Sequence, residues 1–171
     1  MTAPSSGLDL TVVLGARPAQ APARTRLGKP YLPGTAGFGL SDSGGVQAAL
    51  YANRKYVGID IERLDRPDLA ARRHRLGAWV ARRDHVPVEF LAGWVAREAC
   101  AKCVGLGLLH ALPRMAIAWT RQVAEGGGAV DIGLDFAGRG FVARCARLDG
   151  LMLGLCYRED YGPPRIVLLR G

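Results

Sequence analysis

Tyr56-Val57-Gly58-Ile59-Asp60-Ile61-Glu62 is the stretch around which the rest of the chain is read. Val57, Ile59 and Ile61 alternate with Gly58, Asp60 and Glu62, the period-2 pattern of a β-strand with one face on a core. Asp60 and Glu62 therefore share a face, roughly 6 to 7 Å apart along the strand, a spacing that one hard divalent cation can bridge. Gly58, on that same face, leaves room for whatever the cation holds. A solvated polar face on a half-buried sheet produces the same alternation, so the choice between the two readings rests on the remainder of the chain.

Working outward on the N-terminal side, Val46 to Tyr51 reads as a strand and Ala52 to Lys55 as its turn, so a hairpin with Tyr56 to Glu62 is expected. Before it, Phe38-Gly39-Leu40-Ser41-Asp42-Ser43-Gly44-Gly45 reads as a loop. Such a loop either aims N–H groups and hydroxyls at a phosphate or is an ordinary turn rich in Ser and Gly. Leu8 to Leu14 reads as a strand, and the Ala/Pro/Arg stretch through Arg26, with Lys29-Pro30 and Pro33-Gly34 after it, as irregular backbone.

On the C-terminal side the composition turns basic, with arginines at 63, 66, 72, 73, 75, 82 and 83 against Asp65 and Asp68. Leu69, Leu76, Trp79 and Val80 fall at helical spacing, giving one or two helices whose outer face is either solvated or a dock for an acidic partner. A second helix is predicted from Pro87, a favoured opening residue, to Gly105, a favoured stop. Leu91, Trp94, Val95, Glu98, Ala99 and Lys102 share one side of it, and Ala92, Ala96, Cys100 and Val104 make the other side apolar as well. A helix apolar nearly all round is buried, and its ionised groups need partners; a cation shared with Asp60 and Glu62 supplies one for Glu98. The remainder reads as strands over Met115 to Thr120, Val130 to Phe136, Phe141 to Leu148, Leu151 to Tyr157 and Arg165 to Leu169, with glycine-marked turns between several of them. Leu153 to Arg158 repeats the apolar and glycine order of Val57 to Glu62 without its acids, a weak internal repeat.

A chain of 171 residues, 49% hydrophobic, builds one good-sized core or two small fused ones. Its formal charge of +8 favours an acidic or phosphorylated partner. Cys100 and Cys103 have the spacing of half a zinc knuckle, but both sit inside the predicted helix, and Cys145 and Cys156 lack the matching close spacing; with too few cysteines for a secreted disulfide framework, all four read as packing thiols in a reducing, cytoplasmic compartment. His74, His85 and His110 are scattered and form no predicted site. No run of about 18 apolar residues and no signal peptide occurs, so no membrane association is expected. The basic run has few interleaved aromatics, which argues against nucleic acid.

Taken in order, Gly28-Lys29-Pro30, Phe38 to Ser43, Val57 to Glu62, Trp94-Val95-Ala96-Arg97-Glu98-Ala99-Cys100-Ala101-Lys102 and Gly105-Leu106-Gly107-Leu108 resemble the 4′-phosphopantetheinyl transferases, in particular the larger, surfactin-synthetase-activating type. The resemblance spans about residues 28 to 115. It implies an α+β fold of two similar halves related by a pseudo-twofold axis. Each half is a small antiparallel sheet packed with helices, residues 1–70 and 71–171, and the site lies between them. It implies transfer of phosphopantetheine from coenzyme A to a serine of an acyl or peptidyl carrier protein, releasing adenosine 3′,5′-bisphosphate. By position, Asp60, Glu62 and Glu98 hold Mg²⁺ on the diphosphate, and Glu98 also takes the serine proton. Lys102 neutralises charge on the phosphates, and Lys29 and Ser41, with Asp42 and Arg97, contact the cofactor.

Two positions depart from the family pattern. Asp42 stands where the family has a histidine, and its carboxylate repels the phosphate that a histidine contacts. Arg97 replaces a lysine, keeping the charge but not the shape. The segment before Lys29 is shorter than in the larger members, and Arg24 and Arg26 are placed to substitute for its cations. The expected partner is a monomeric enzyme's acidic carrier protein, docking on Arg72, Arg73, Arg75, Arg82 and Arg83; the rival expectation is a non-catalytic relative that binds a carrier protein or a phosphorylated ligand.

Overall fold

The computed structural model describes residues 7–68, 70, 71, 74, 75, 77, 80, 82–123 and 128–171. In chain order its strands are β1 (Asp9–Leu14), β2 (Ala23–Arg24), β3 (Pro30–Tyr31), β4 (Gly37–Ser43), β5 (Val46–Ala52) and β6 (Val57–Arg63), then β7 (Met115–Gln122), β8 (Ala129–Phe136), β9 (Arg139–Leu148), β10 (Leu151–Arg158) and β11 (Arg165–Arg170). Between β6 and β7 lie helix α1 (Phe90–Val104) and the single turn α2 (Leu108–Ala111). The fold is α+β. Residues 70, 71, 74, 75, 77 and 80 are helical, in agreement with a helix in the basic run, whereas Arg72 and Arg73 lie outside the described residues.

A four-stranded sheet runs in the order β11-β1-β5-β4, and a five-stranded sheet in the order β6-β10-β9-β8-β7. The partition expected at residue 70 is not a partition of the sheets. Strand β6 edges the sheet made by β7 to β10, and β11 pairs in parallel with β1 in the sheet made by the early strands.

The hairpin expected between Val46 and Glu62 is displaced by one strand. Its partners are β4 and β5, turning at Gly44-Gly45, both with positive φ. The hydroxyl-rich stretch read as a loop is therefore strand β4. The reason is steric. Gly37, Gly39, Ser41 and Ser43 alternate along β4, and this row of small side chains lies against β6. A Cβ on Gly37 would stand 1.9 Å from the Arg54 carbonyl oxygen, and one on Gly39 would stand 3.1 Å from Ile59 Cγ2. Bulkier residues would hold the two sheets apart. Strand β6 then joins the second sheet by pairing antiparallel with β10, Asp60 opposite Gly154 and Gly58 opposite Cys156.

Two apolar clusters meet at β6. Val57, Ile59 and Ile61 point into the cluster shared with Leu10, Val12, Leu50 and Leu155 of both sheets. The opposite face lies under α1, whose Leu91, Val95 and Ala99 pack with Ile117, Ile132, Leu134 and Met152. Each large aliphatic side chain so buried contributes about 1.5–3 kcal/mol. Strand β6 is thus covered on both faces rather than half-solvated: Asp60 is 2% and Glu62 6% exposed. The repeated order of apolar residues and glycine in β6 and β10 has the same cause, because Gly58 and Gly154 both lie under α1.

Helix α1 begins at Phe90, three residues later than Pro87 would open it. Glu89 caps it, its carboxylate accepting from the Leu91 and Ala92 N–H groups, while Gly105 closes it in the left-handed conformation at φ 78°. All four cysteines are buried free thiols. Among the described residues no helix is long and apolar enough to cross a membrane.

Gly58 sets how closely α1 approaches. A Cβ there would lie 2.1 Å from the Ala99 carbonyl oxygen and 2.6 Å from the Cys103 nitrogen, both helix backbone that cannot rotate away. Gly58→Val should therefore cost about 3 kcal/mol or more and lower the thermal midpoint by roughly 6–12 °C. An unchanged midpoint would mean the helix does not sit there.

Candidate functional site

The close seat of α1 on β6 carries the helix side chains Glu98 and Lys102, one turn apart, over the strand acids. Lys102 Nζ donates to Asp60 Oδ1 at 2.6 Å and to Ser41 Oγ at 2.9 Å, and Ser41 Oγ donates to the same Asp60 oxygen at 2.9 Å. Two residues along, the arrangement recurs: Ser43 Oγ donates to Glu62 Oε2 at 2.9 Å. Each serine also accepts from the backbone N–H that follows its acid, Ile61 N to Ser41 and Arg63 N to Ser43, both at 3.2 Å. The hydroxyls of β4 thereby lock both carboxylates of β6 in register. The space over Gly58 itself is not available to a ligand, because the α1 backbone fills it.

Asp60, Glu62, Glu98 and Lys102 line one cavity of about 890 Å³, together with Ser41, Asp42, Gln47, Lys29 and, from the segment before β3, Arg17 and Arg24. That volume accommodates a nucleotide-sized ligand. Asp42 is exposed on the cavity wall, opposite Gln47 in the β4–β5 pairing. Lys29 lines the same cavity, but its ammonium turns inward to the Cys103 carbonyl at 2.6 Å and the Val57 carbonyl at 3.4 Å. It neutralises the C-terminal end of α1, and burial pulls its pKa below the usual lysine value. Arg24 donates to the Gly28 carbonyl at 2.9 Å, and Arg26 is not part of the wall.

Arg97 is placed elsewhere. It is 3% exposed, its guanidinium pairs with Asp84 and bonds the Gly93 carbonyl, and Asp84 also accepts from Ile117 N at 2.9 Å. It ties α1 to the start of β7 and faces a neighbouring cavity of about 940 Å³. Of the expected docking arginines, Arg75, Arg82 and Arg83 are exposed, and Arg83 reaches the Pro113 carbonyl.

Sequence reading did not single out Arg66. Its Nη1 donates to Glu62 Oε1 at 2.5 Å and to Oε2 at 2.7 Å, while the rest of the guanidinium pairs with Asp68. The spacing of Glu62 and Arg66, four residues apart, was the available signal, but it lies at a strand end where helical spacing rules do not apply.

Asp60 and Glu98, so close in a poorly hydrated place, cannot both stay ionised at ordinary cost. Burial, and then the charge of Asp60, push the pKa of Glu98 up to about 8, against the lowering influence of Lys102. Burial also raises Asp60, opposed by Lys102 and Ser41. Asp60 Oδ2 is buried and has no hydrogen-bond partner. A buried carboxylate oxygen without a donor is costly, and a proton shared with Glu98 or a cation between the two would satisfy it. The donor set is all oxygen, which suits Mg²⁺. The acids are not drawn into a closed shell: among the described residues no three His, Cys, Asp or Glu stand grouped as metal ligands. No model of a known protein family and no curated protein matches this chain.

In metal-free protein the raised Glu98 value has a defined sign. The folded form binds the proton more tightly than the unfolded chain, so the stability it contributes is full below the ordinary glutamate range near 4.3. It is lost as pH rises through about 8. Glu98→Gln, neutral throughout, should gain on the parent by on the order of 3 kcal/mol between pH 5 and 9 in denaturant unfolding. Parallel stability curves would exclude the proton from Glu98.

Proposed function

We propose that the chain is a magnesium-dependent transferase that moves 4′-phosphopantetheine from coenzyme A to a serine hydroxyl of an acidic acyl or peptidyl carrier protein. The observation that supports this most is the convergence of Glu98 and Lys102 from a helix with Asp60 and Glu62 from a strand on one nucleotide-sized cavity. Asp60, Glu62 and Glu98 would hold Mg²⁺, and the cation would satisfy the buried, unpartnered Asp60 Oδ2. When bound, the cation screens the diphosphate oxygens against an incoming nucleophile.

The chain's own groups supply the rest. Glu98, with its raised proton affinity, takes the hydroxyl proton once ionised. The serine oxygen forms a bond to the phosphorus bearing pantetheine, and the bond from that phosphorus to the bridging oxygen breaks, releasing adenosine 3′,5′-bisphosphate. Lys102 stands beside Asp60 to meet charge that develops on the departing phosphate. Arg17 and Arg24 on the cavity wall serve the adenosine phosphate end, in place of Lys29, whose ammonium is committed to two carbonyls. The exposed Arg75 and Arg82 offer cations to an acidic carrier. Four free thiols accord with a cytoplasmic setting.

The inward turn of Lys29 and the carboxylate of Asp42 on the wall favour a second reading, a non-catalytic relative that binds a carrier or a phosphorylated ligand. One experiment separates the two. Incubated with coenzyme A, Mg²⁺ and several apo carrier proteins, the chain should raise a carrier's mass by one phosphopantetheine. Glu98→Ala should cut the rate by roughly 10²-fold or more, and chelation of the metal should abolish it. Binding of carriers with no mass increase on any of them would decide for the second reading.

A further inference from the structure

The two strand acids are not equally open to a metal. Asp60 uses one oxygen for Lys102 and Ser41 and leaves Oδ2 without a partner. Glu62 has both oxygens engaged, Oε1 by Arg66 at 2.5 Å and Oε2 by Arg66 at 2.7 Å and Ser43 at 2.9 Å. Arg66 is itself anchored from the far side, Nε to Asp68 Oδ1 at 2.9 Å and Nη2 to Asp68 Oδ2 at 3.0 Å. It does not line the cavity of the four site residues. It lies in the wall of the neighbouring cavity and reaches Glu62 from behind.

We propose that Arg66 is an internal counter-ion that holds Glu62 against a bare divalent cation, so that the metal enters together with a diphosphate ligand rather than before it. This rests on reading Asp60, Glu62 and Glu98 as the metal site. The fork of the guanidinium, Nε and Nη2, is held by Asp68, which fixes Nη1 between both oxygens of Glu62, an anchorage that a point charge lacks. Mg²⁺ gives up its water reluctantly, and with Glu62 occupied it has few anionic oxygens to receive it. Charge argues the same way. Among the described residues Asp60, Glu62 and Glu98 already face the internal cations Lys102 and Arg66, so a lone dication enters a site whose negative charge is largely spent. A dication that arrives on a diphosphate brings its own counter-charge and extra oxygen ligands, and the exchange at Glu62 becomes favourable. Arg66 is thus a positioning residue, acting through Glu62 and not on the reacting atoms.

Binding of Mn²⁺ followed by electron paramagnetic resonance tests this without any turnover. The parent should bind Mn²⁺ weakly alone and much more tightly with coenzyme A present. Arg66→Gln should bind Mn²⁺ alone at least about tenfold more tightly than the parent, with little further gain from coenzyme A; tenfold corresponds to about 1.4 kcal/mol. Arg66→Lys, which keeps the charge but not the fork, should fall between, and serves alone if the glutamine variant does not fold. Equal or weaker binding of Mn²⁺ alone by the variants overturns the proposal and makes Arg66 a support for the ligand. Equal Mn²⁺ affinity of the parent with and without coenzyme A overturns it as well. Absence of binding in every protein, with and without coenzyme A, overturns the metal reading, and this proposal falls with it.

Discussion

Everything at the site depends on a helix lying directly on a strand backbone. Gly58 is the one place on β6 where α1 can descend until its Ala99 and Cys103 backbone touches the sheet. That descent fixes the height and rotation of the helix. One turn of helix then carries Glu98 and Lys102 to the level of Asp60, and the same contact expels water from around the acids. Proximity and dehydration therefore have one cause, and together they raise the proton affinity of Glu98.

The second constraint is the seam between the sheets. Strand β4 presents alternating glycines and serines to β6, and the serine hydroxyls replace a backbone ladder as the link. Each hydroxyl both donates to an acid and accepts from the next peptide, so the acids are held by the neighbouring sheet as well as by their own. Each sheet contributes to the cavity: β4 and β5 a wall, β6 the acids. Helix α1 covers the seam and supplies the remaining charges.

Much of this was legible in sequence because it follows from periodicity. The strand of alternating acids, the long helix ending at Gly105 and the five later strands all lie near where hydrophobic spacing puts them. The union of Glu98 and Lys102 with Asp60 followed from helical spacing and the need of buried charges for partners. Strand β4 was not legible, because its row of Gly37, Gly39, Ser41 and Ser43 looks like a turn until another strand is known to lie against it. The misplaced hairpin follows from the same ambiguity. Lys29 and Arg97 show the limit of reading roles by position: each is a cation near the motif, yet one is turned into carbonyls and the other is spent on Asp84. Arg66 escaped notice because its partners are set by the path of the chain after β6, which no local pattern encodes.

The parallel pairing of β1 with β11 brings Asp9 beside Arg165, 156 positions apart. The first sheet is therefore unfinished until almost the whole of this chain has been made. Local helices and antiparallel hairpins can form early, but this closure is among the most distant encounters in the molecule and carries the largest loop entropy. During synthesis the early strands β1, β4 and β5 would wait with an open flank, a natural point for a chaperone to engage. The cavity wall would become firm only when the final strand docks.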